Sequence, residues 1–208
     1  MILLDHPALA GVDTLVLLDE GADAPGGRRP PGWVRRWVDG SAPVVEAAPG
    51  SDVAAAVTEA GRTRRAAVLL LRRDTTQPPR RIVVAVQEHA ADRPVVDAAV
   101  SAAAACRARL RVVHAVPRSF GERSVGLAEA VERGRRLVSS VGTAEEPGVA
   151  VSRDLVRAWP HEVLDETLDA DLLVVGGPRP EGPTDLGLTA RAAVVHAPCS
   201  VLVVPRAG

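Results

Sequence analysis

The residues of this chain whose chemistry could matter are few and scattered. His114 stands in a β-rich run, followed by Ala-Val-Pro. His161 lies beside Glu162 and Asp165, and Asp165, Glu166 and Asp169 crowd one short stretch. Ser139–Ser140 offers hydroxyls but has no definable His and Asp partner. Nowhere do a nucleophile, a base and an oxyanion donor come together, which argues against an enzyme. The sequence has no Lys, Asn or Tyr, and all 25 basic residues are Arg. That excludes a Walker-A lysine, a Schiff base and a tyrosine acid or nucleophile. Cys106 and Cys199 sit in small-residue surroundings without a Cys-x-x-Cys or Cys/His cluster, so they are expected to be core thiols and no metal site is expected.

What remains is a glycine-bearing segment, Gly176–Gly177 followed by Gly187, at the end of an apolar run. The elements that must position it follow from the hydrophobic pattern. Of 208 residues, 47% are hydrophobic but only 2% aromatic, so a core of Val, Leu and Ala is expected. After a linker at Asp74–Pro79, flanked by Arg72–Arg73 and Arg80–Arg81, five β-rich runs alternate with helical patterns: Ile82–Val86, Leu110–Val116, Val149–Val151, Asp171–Val175 and Val201–Val204. Helices are predicted over 92–109 with Asp92 as N-cap, over 122–141, over 161–168 after Pro160, and over about 188–196. Strands separated by helices pair in parallel through right-handed crossovers. The expected fold class is therefore α/β: a doubly wound, mostly parallel five-stranded sheet, whose ligand crevice lies beyond the carboxyl ends of the strands.

Two parts are expected, residues 1–75 and 80–206. The first is a smaller α/β piece with strands over 14–18, 43–46 and 67–71, a helix over 52–62 capped by Ser51 or Asp52, and Trp33 and Trp37 on one helix face. A net charge of −1 gives no reason to seek nucleic acid or an anionic membrane. The acidic start and the lack of a long apolar run point to a cytoplasmic protein.

The second part resembles the universal stress proteins. Arg80–Val86 is similar to their opening strand, Leu110–Val116 to the second, Asp169–Gly176 to the fourth and His196–Val204 to the last. The resemblance implies an adenine-nucleotide-hydrolase-like, Rossmann-like fold and a role in stress response. ATP-binding members carry Gly-x-x-Gly, nine residues, then Gly-Ser or Gly-Thr after the fourth strand, where bare backbone N–H groups meet phosphate. They also end the first strand with an Asp that meets the adenosine.

Carried over, the site residues are Val86, Gln87, Gly176, Arg179, Gly187 and Thr189. Gln87 replaces the Asp, Glu88–His89 replace Gly-Ser, and Arg179 stands at the second glycine. The loop is about two residues short, and Pro178, Pro180 and Pro183 remove N–H donors while Glu181 and Asp185 add negative charge. Two readings follow: a regulatory protein acting through protein contacts with a degraded nucleotide site and no cofactor, or a sensor binding ATP or another adenine nucleotide with slow or no hydrolysis. The family's tandem habit suggests that the amino-terminal part is a shortened first copy. It also suggests a homodimer through the last strand, Val201, Leu202, Val203 and Val204, with Val68–Leu71 as the competing partner.

Overall fold

In a computed structural model, the described residues are 15–19, 33–34, 44–47, 52–64, 67–72, 77–117, 125–141, 148–164, 167–182 and 185–208. The strands are β1 (Leu15–Asp19), β2 (Val44–Ala47), β3 (Val68–Leu71), β4 (Arg81–Ala85), β5 (Arg109–Val116), β6 (Val151–Arg157), β7 (Leu172–Gly176) and β8 (Ser200–Val204). The helices are α1 (Val53–Arg64), α2 (Arg93–Cys106), α3 (Val125–Ser140), α4 (Pro160–Val163) and α5 (Leu188–His196).

All eight strands lie in one sheet, ordered β2-β1-β3-β8-β7-β4-β5-β6. From β8 to β6 every neighbouring pair is parallel, the five-stranded sheet expected of the second part. Its apolar runs are continuous because helices cover both faces. Along each strand the side chains alternate: Ile82, Val84, Leu172 and Val174 face the core under α2, and Val83, Leu173 and Val175 face the core shared with α1 and α5. Asp52 caps α1, its Oδ1 accepting from the N–H of Ala54 and Ala55 at 3.0 and 3.1 Å. Trp33 is buried in the first core, while Trp37 lies outside the described residues.

Three boundaries differ from expectation, each for a physical reason. The third strand of the second part runs over Val151–Arg157, not Val149–Val151. It is the last strand of the sheet, half exposed and bearing Arg153, Asp154 and Arg157, and charge on an edge strand hides it from a search for apolar runs. Arg111 and Asp154 pair across it at 2.5 Å. The helix predicted over 161–168 is a single turn, Pro160–Val163, with Leu164 and Leu168 turned into the second core. The helix predicted over 92–109 stops at Cys106, where Arg107 takes a left-handed φ of 54° and releases the chain into β5.

β8 ends the parallel five-stranded part, as expected, and its outer side is paired. β3 pairs antiparallel with β8, setting Val68 opposite Val203, Leu69 opposite Leu202 and Leu70 opposite Val201. The last strand is thus hydrogen-bonded on both sides, to β7 and to β3, so that Val68–Leu71, one of its two expected partners, pairs with it within the chain. Leu69 and Leu71 enter the first core, and Val68 and Leu70 the second, so both cores run through both parts. Among the described residues no helix is long and apolar enough to cross a membrane.

Leu69→Ala and Leu202→Ala should each lower unfolding free energy by about 2–5 kcal/mol, because both side chains are wholly buried. In urea unfolding the double variant should deviate from additivity by more than about 0.5 kcal/mol, as expected for residues in contact. Strict additivity would count against the joined sheet.

Candidate functional site

The order of strands reverses where β4 lies between β7 and β5, and there the carboxyl ends open outward. A cavity of about 1000 Å³ lies against those ends. Its floor is the last turn of β4, β5 and β7, with Val86 buried and its N–H bonded to the carbonyl of Val113 at 2.9 Å. One wall is α3, which comes close because residue 134 is Gly. A Cβ there would lie 2.6 Å from Leu155 Cδ1 and 2.9 Å from His114 Cδ2. Trp159, 41% exposed, and Leu188 at the start of α5, 89% exposed, also line the cavity.

His114 lines this cavity. Its Nδ1 donates to the carbonyl oxygen of Val86, which can only accept, at 2.8 Å. In His89 it is Nε2 that donates, to the carbonyl of Ser140 at 2.9 Å. That bond ties the loop after β4 to the end of α3.

The loop after β4 is organised from beneath by Asp92. This residue occupies the N-cap position of α2 but makes no capping bond into the helix. Its Oδ2 instead accepts from the backbone N–H of Gln87 at 2.5 Å and of Glu88 at 2.7 Å. Its Oδ1 lies 2.7 Å from Nε of Arg206, an ion pair whose N–H is not aligned on the oxygen as a hydrogen bond. Asp92 is 1% exposed. The Arg206 guanidinium also donates from Nη2 to Gln87 Oε1 at 3.1 Å. Charged groups buried in this way contribute little net stability as a pair, yet leaving one unpartnered costs about 3–5 kcal/mol.

Val86, Gln87, Gly176, Gly187 and Thr189 all line the cavity, but Arg179 does not. Arg179 pairs with Glu88. Gly176 lies beneath Arg206: a Cβ on it would overlap Arg206 Nε and would be 3.1 Å from its Cγ and Cζ. Gly187 caps α5 with ordinary extended dihedrals, and its carbonyl accepts from the N–H of Arg191 at 2.9 Å. Pro178 accepts at its carbonyl from the N–H of Arg206 at 3.3 Å, while Pro183 lies outside the described residues.

Sequence reasoning misses Asp92, Arg206 and Trp159 as site residues. Asp92 has the pattern of a helix cap, and nothing local signals that its carboxylate turns back on the preceding loop. Arg206 follows the last strand, with no motif to mark it. Of the other titratable candidates, Asp169 pairs with Arg81, and Asp165 with the side chain of His161 lies outside the description. Cys199 is buried, and burial pushes its thiol up to about 11, which does not suit a nucleophile.

The profile of the universal stress protein family matches residues 78–205. The chain belongs to the universal stress protein family. Among curated proteins no relative matches the sequence. A putative universal stress protein from Pseudomonas aeruginosa superposes over 96% of this chain and 95% of its own, with a TM-score of 0.54 and 15% identity. A universal stress protein from Archaeoglobus fulgidus matches 72% of this chain with a TM-score of 0.50 and 17% identity. The match covers 53% of that protein, so this chain spans about half its length. At such identities the likeness is one of fold.

Removing Asp92 should be costly for this universal stress protein. Asp92→Ala leaves Arg206 without its carboxylate and two loop amides without an acceptor, and should destabilise by about 3–5 kcal/mol in urea unfolding. Asp92→Ala with Arg206→Met should recover part of that loss. A cost below about 1 kcal/mol for the single variant would contradict the role given to Asp92.

Proposed function

We propose that this universal stress protein is a regulatory or binding protein of the stress response. In this reading it acts through protein contacts, catalyses no reaction and does not hold ATP tightly in its crevice. One observation supports this above the rest: side chains at the loop positions where ATP-binding members meet nucleotide are engaged by other side chains of this chain. Gln87, at the position of the family's Asp, is bonded to Arg206. Arg179, at the second loop glycine, is paired with Glu88. A ligand would have to break these contacts before making its own.

The alternative, an ATP-binding sensor with slow or no hydrolysis, has its own support. The cavity is roomy, and α5, nine residues long, begins beside it with Gly187 and Thr189 in the lining. A helix start of that kind favours negative charge. Calorimetric titration separates the two readings. The regulatory reading expects a dissociation constant for ATP well above about 1 μM, the equivalent of roughly −8 kcal/mol. A value at or below that would establish the sensor.

The amino-terminal part fits a shortened first copy of the same fold. Its strands run β2-β1-β3, mutually parallel, and meet β8 antiparallel, as two halves related by a local two-fold axis would.

A further inference from the structure

We propose that Arg206 is the specificity-determining residue of the crevice: its guanidinium closes the strip over Gly176 that the phosphate-bearing part of a nucleotide would need, and so excludes nucleotides from a cavity otherwise large enough for them. This deepens the reading of an altered nucleotide site by naming the residue that alters it. Gly176 matches the first glycine of the family's phosphate loop, the position where a bare backbone lets a ligand come close. Here the bare backbone is covered by this chain's own side chain, with Arg206 Nε lying where a Cβ would collide with it. The space that glycine leaves is already filled.

The filling is held from several directions. The main chain around Arg206 is pinned on both sides, its own N–H donating to Pro178 at 3.3 Å and the N–H of Ala207 to Ala91 at 3.0 Å. Just before it, Val204 accepts from the N–H of Gly177 at 2.7 Å. The segment after β8 is thus stitched to the loops following β7 and β4. The side chain is fixed by Asp92 at 2.7 Å and Gln87 at 3.1 Å, and it is 18% exposed. Swinging Arg206 aside for a phosphate would strand the Asp92 carboxylate, which has almost no access to water. Nor does the guanidinium stand ready as a phosphate ligand, since its charge is already met by that carboxylate. The filter is therefore steric and is locked by an ion pair.

The test is calorimetric titration of ATP into the full chain and two variants, Arg206→Ala and the double variant Arg206→Ala with Asp92→Asn. The double variant guards against misfolding, because the Asp92→Asn change removes the unpaired charge and keeps an oxygen to accept the Gln87 and Glu88 amides. Unfolding curves verify that each variant is folded. ATP affinity should rise at least tenfold in the double variant, and in the single variant if it folds. If the natural chain binds ATP weakly and the folded variants gain nothing, the filter is overturned while the regulatory reading stands. If the natural chain binds ATP at about 1 μM or tighter and the variants bind more tightly still, the regulatory reading fails and the filter stands. If the natural chain binds tightly and the variants weaken, Arg206 is a phosphate ligand and both are overturned.

Discussion

The carboxylate of Asp92, buried at the root of α2, is the contact on which the functional end of this protein depends. Two backbone amides of the loop after β4 and the guanidinium of Arg206 converge on its two oxygens. An ionised carboxylate out of water is tolerated only when its lone pairs are met, so these partners are obligatory rather than decorative. They fix the loop after β4, and that loop fixes the rest. Gln87 turns to Arg206, Glu88 to Arg179 and His89 to the end of α3. The roof of the crevice is therefore braced towards β7 on one side and towards α3 on the other.

The platform beneath is an ordinary consequence of composition. With few aromatics, the core is packed from Val, Leu and Ala on both faces of one sheet, and close packing of small side chains demands close approach of the elements. Gly134 is where that demand is sharpest, since α3 rests almost directly on β5 and β6 there. The same economy explains the amino-terminal part. Among its described residues, β3 extends both cores, with Trp33 and Val34 in the first core and Ala54 and Val57 of α1 in the second. Within this chain the apolar edge of β8 is covered by β3.

How much of this is legible in the sequence depends on whether the cause is local. β4, β7 and β8 are short runs rich in Val and Leu and buried on both faces, β5 is a longer run with a buried Val-Val centre, and the pattern of all four is written in consecutive residues. β6 is an edge strand that carries charge, its Asp154 pairing across to Arg111 of β5, so its signal belongs to the neighbour. The end of α2 at Arg107 is a left-handed residue without the glycine that usually announces one. At the site, the glycines and the missing Asp can be read because they are positions in a linear motif. The Asp92–Arg206 pair cannot, because it joins the start of one helix to the segment after the last strand, and only the fold brings them together. Likewise the pairing of β3 with β8 joins two apolar strands far apart in sequence, which local pattern cannot announce.

The claim that a buried carboxylate holds the crevice loop closed is tested most directly by amide hydrogen exchange at Gln87 and Glu88. Both N–H groups lie in an exposed loop, where exchange would ordinarily be fast, yet both donate to Asp92. The account predicts strong protection in the native chain, lost selectively in Asp92→Ala relative to amides in the core of the sheet, and unchanged by ATP. Rapid exchange of the two amides in the native chain, or protection that survives the loss of Asp92, would contradict it.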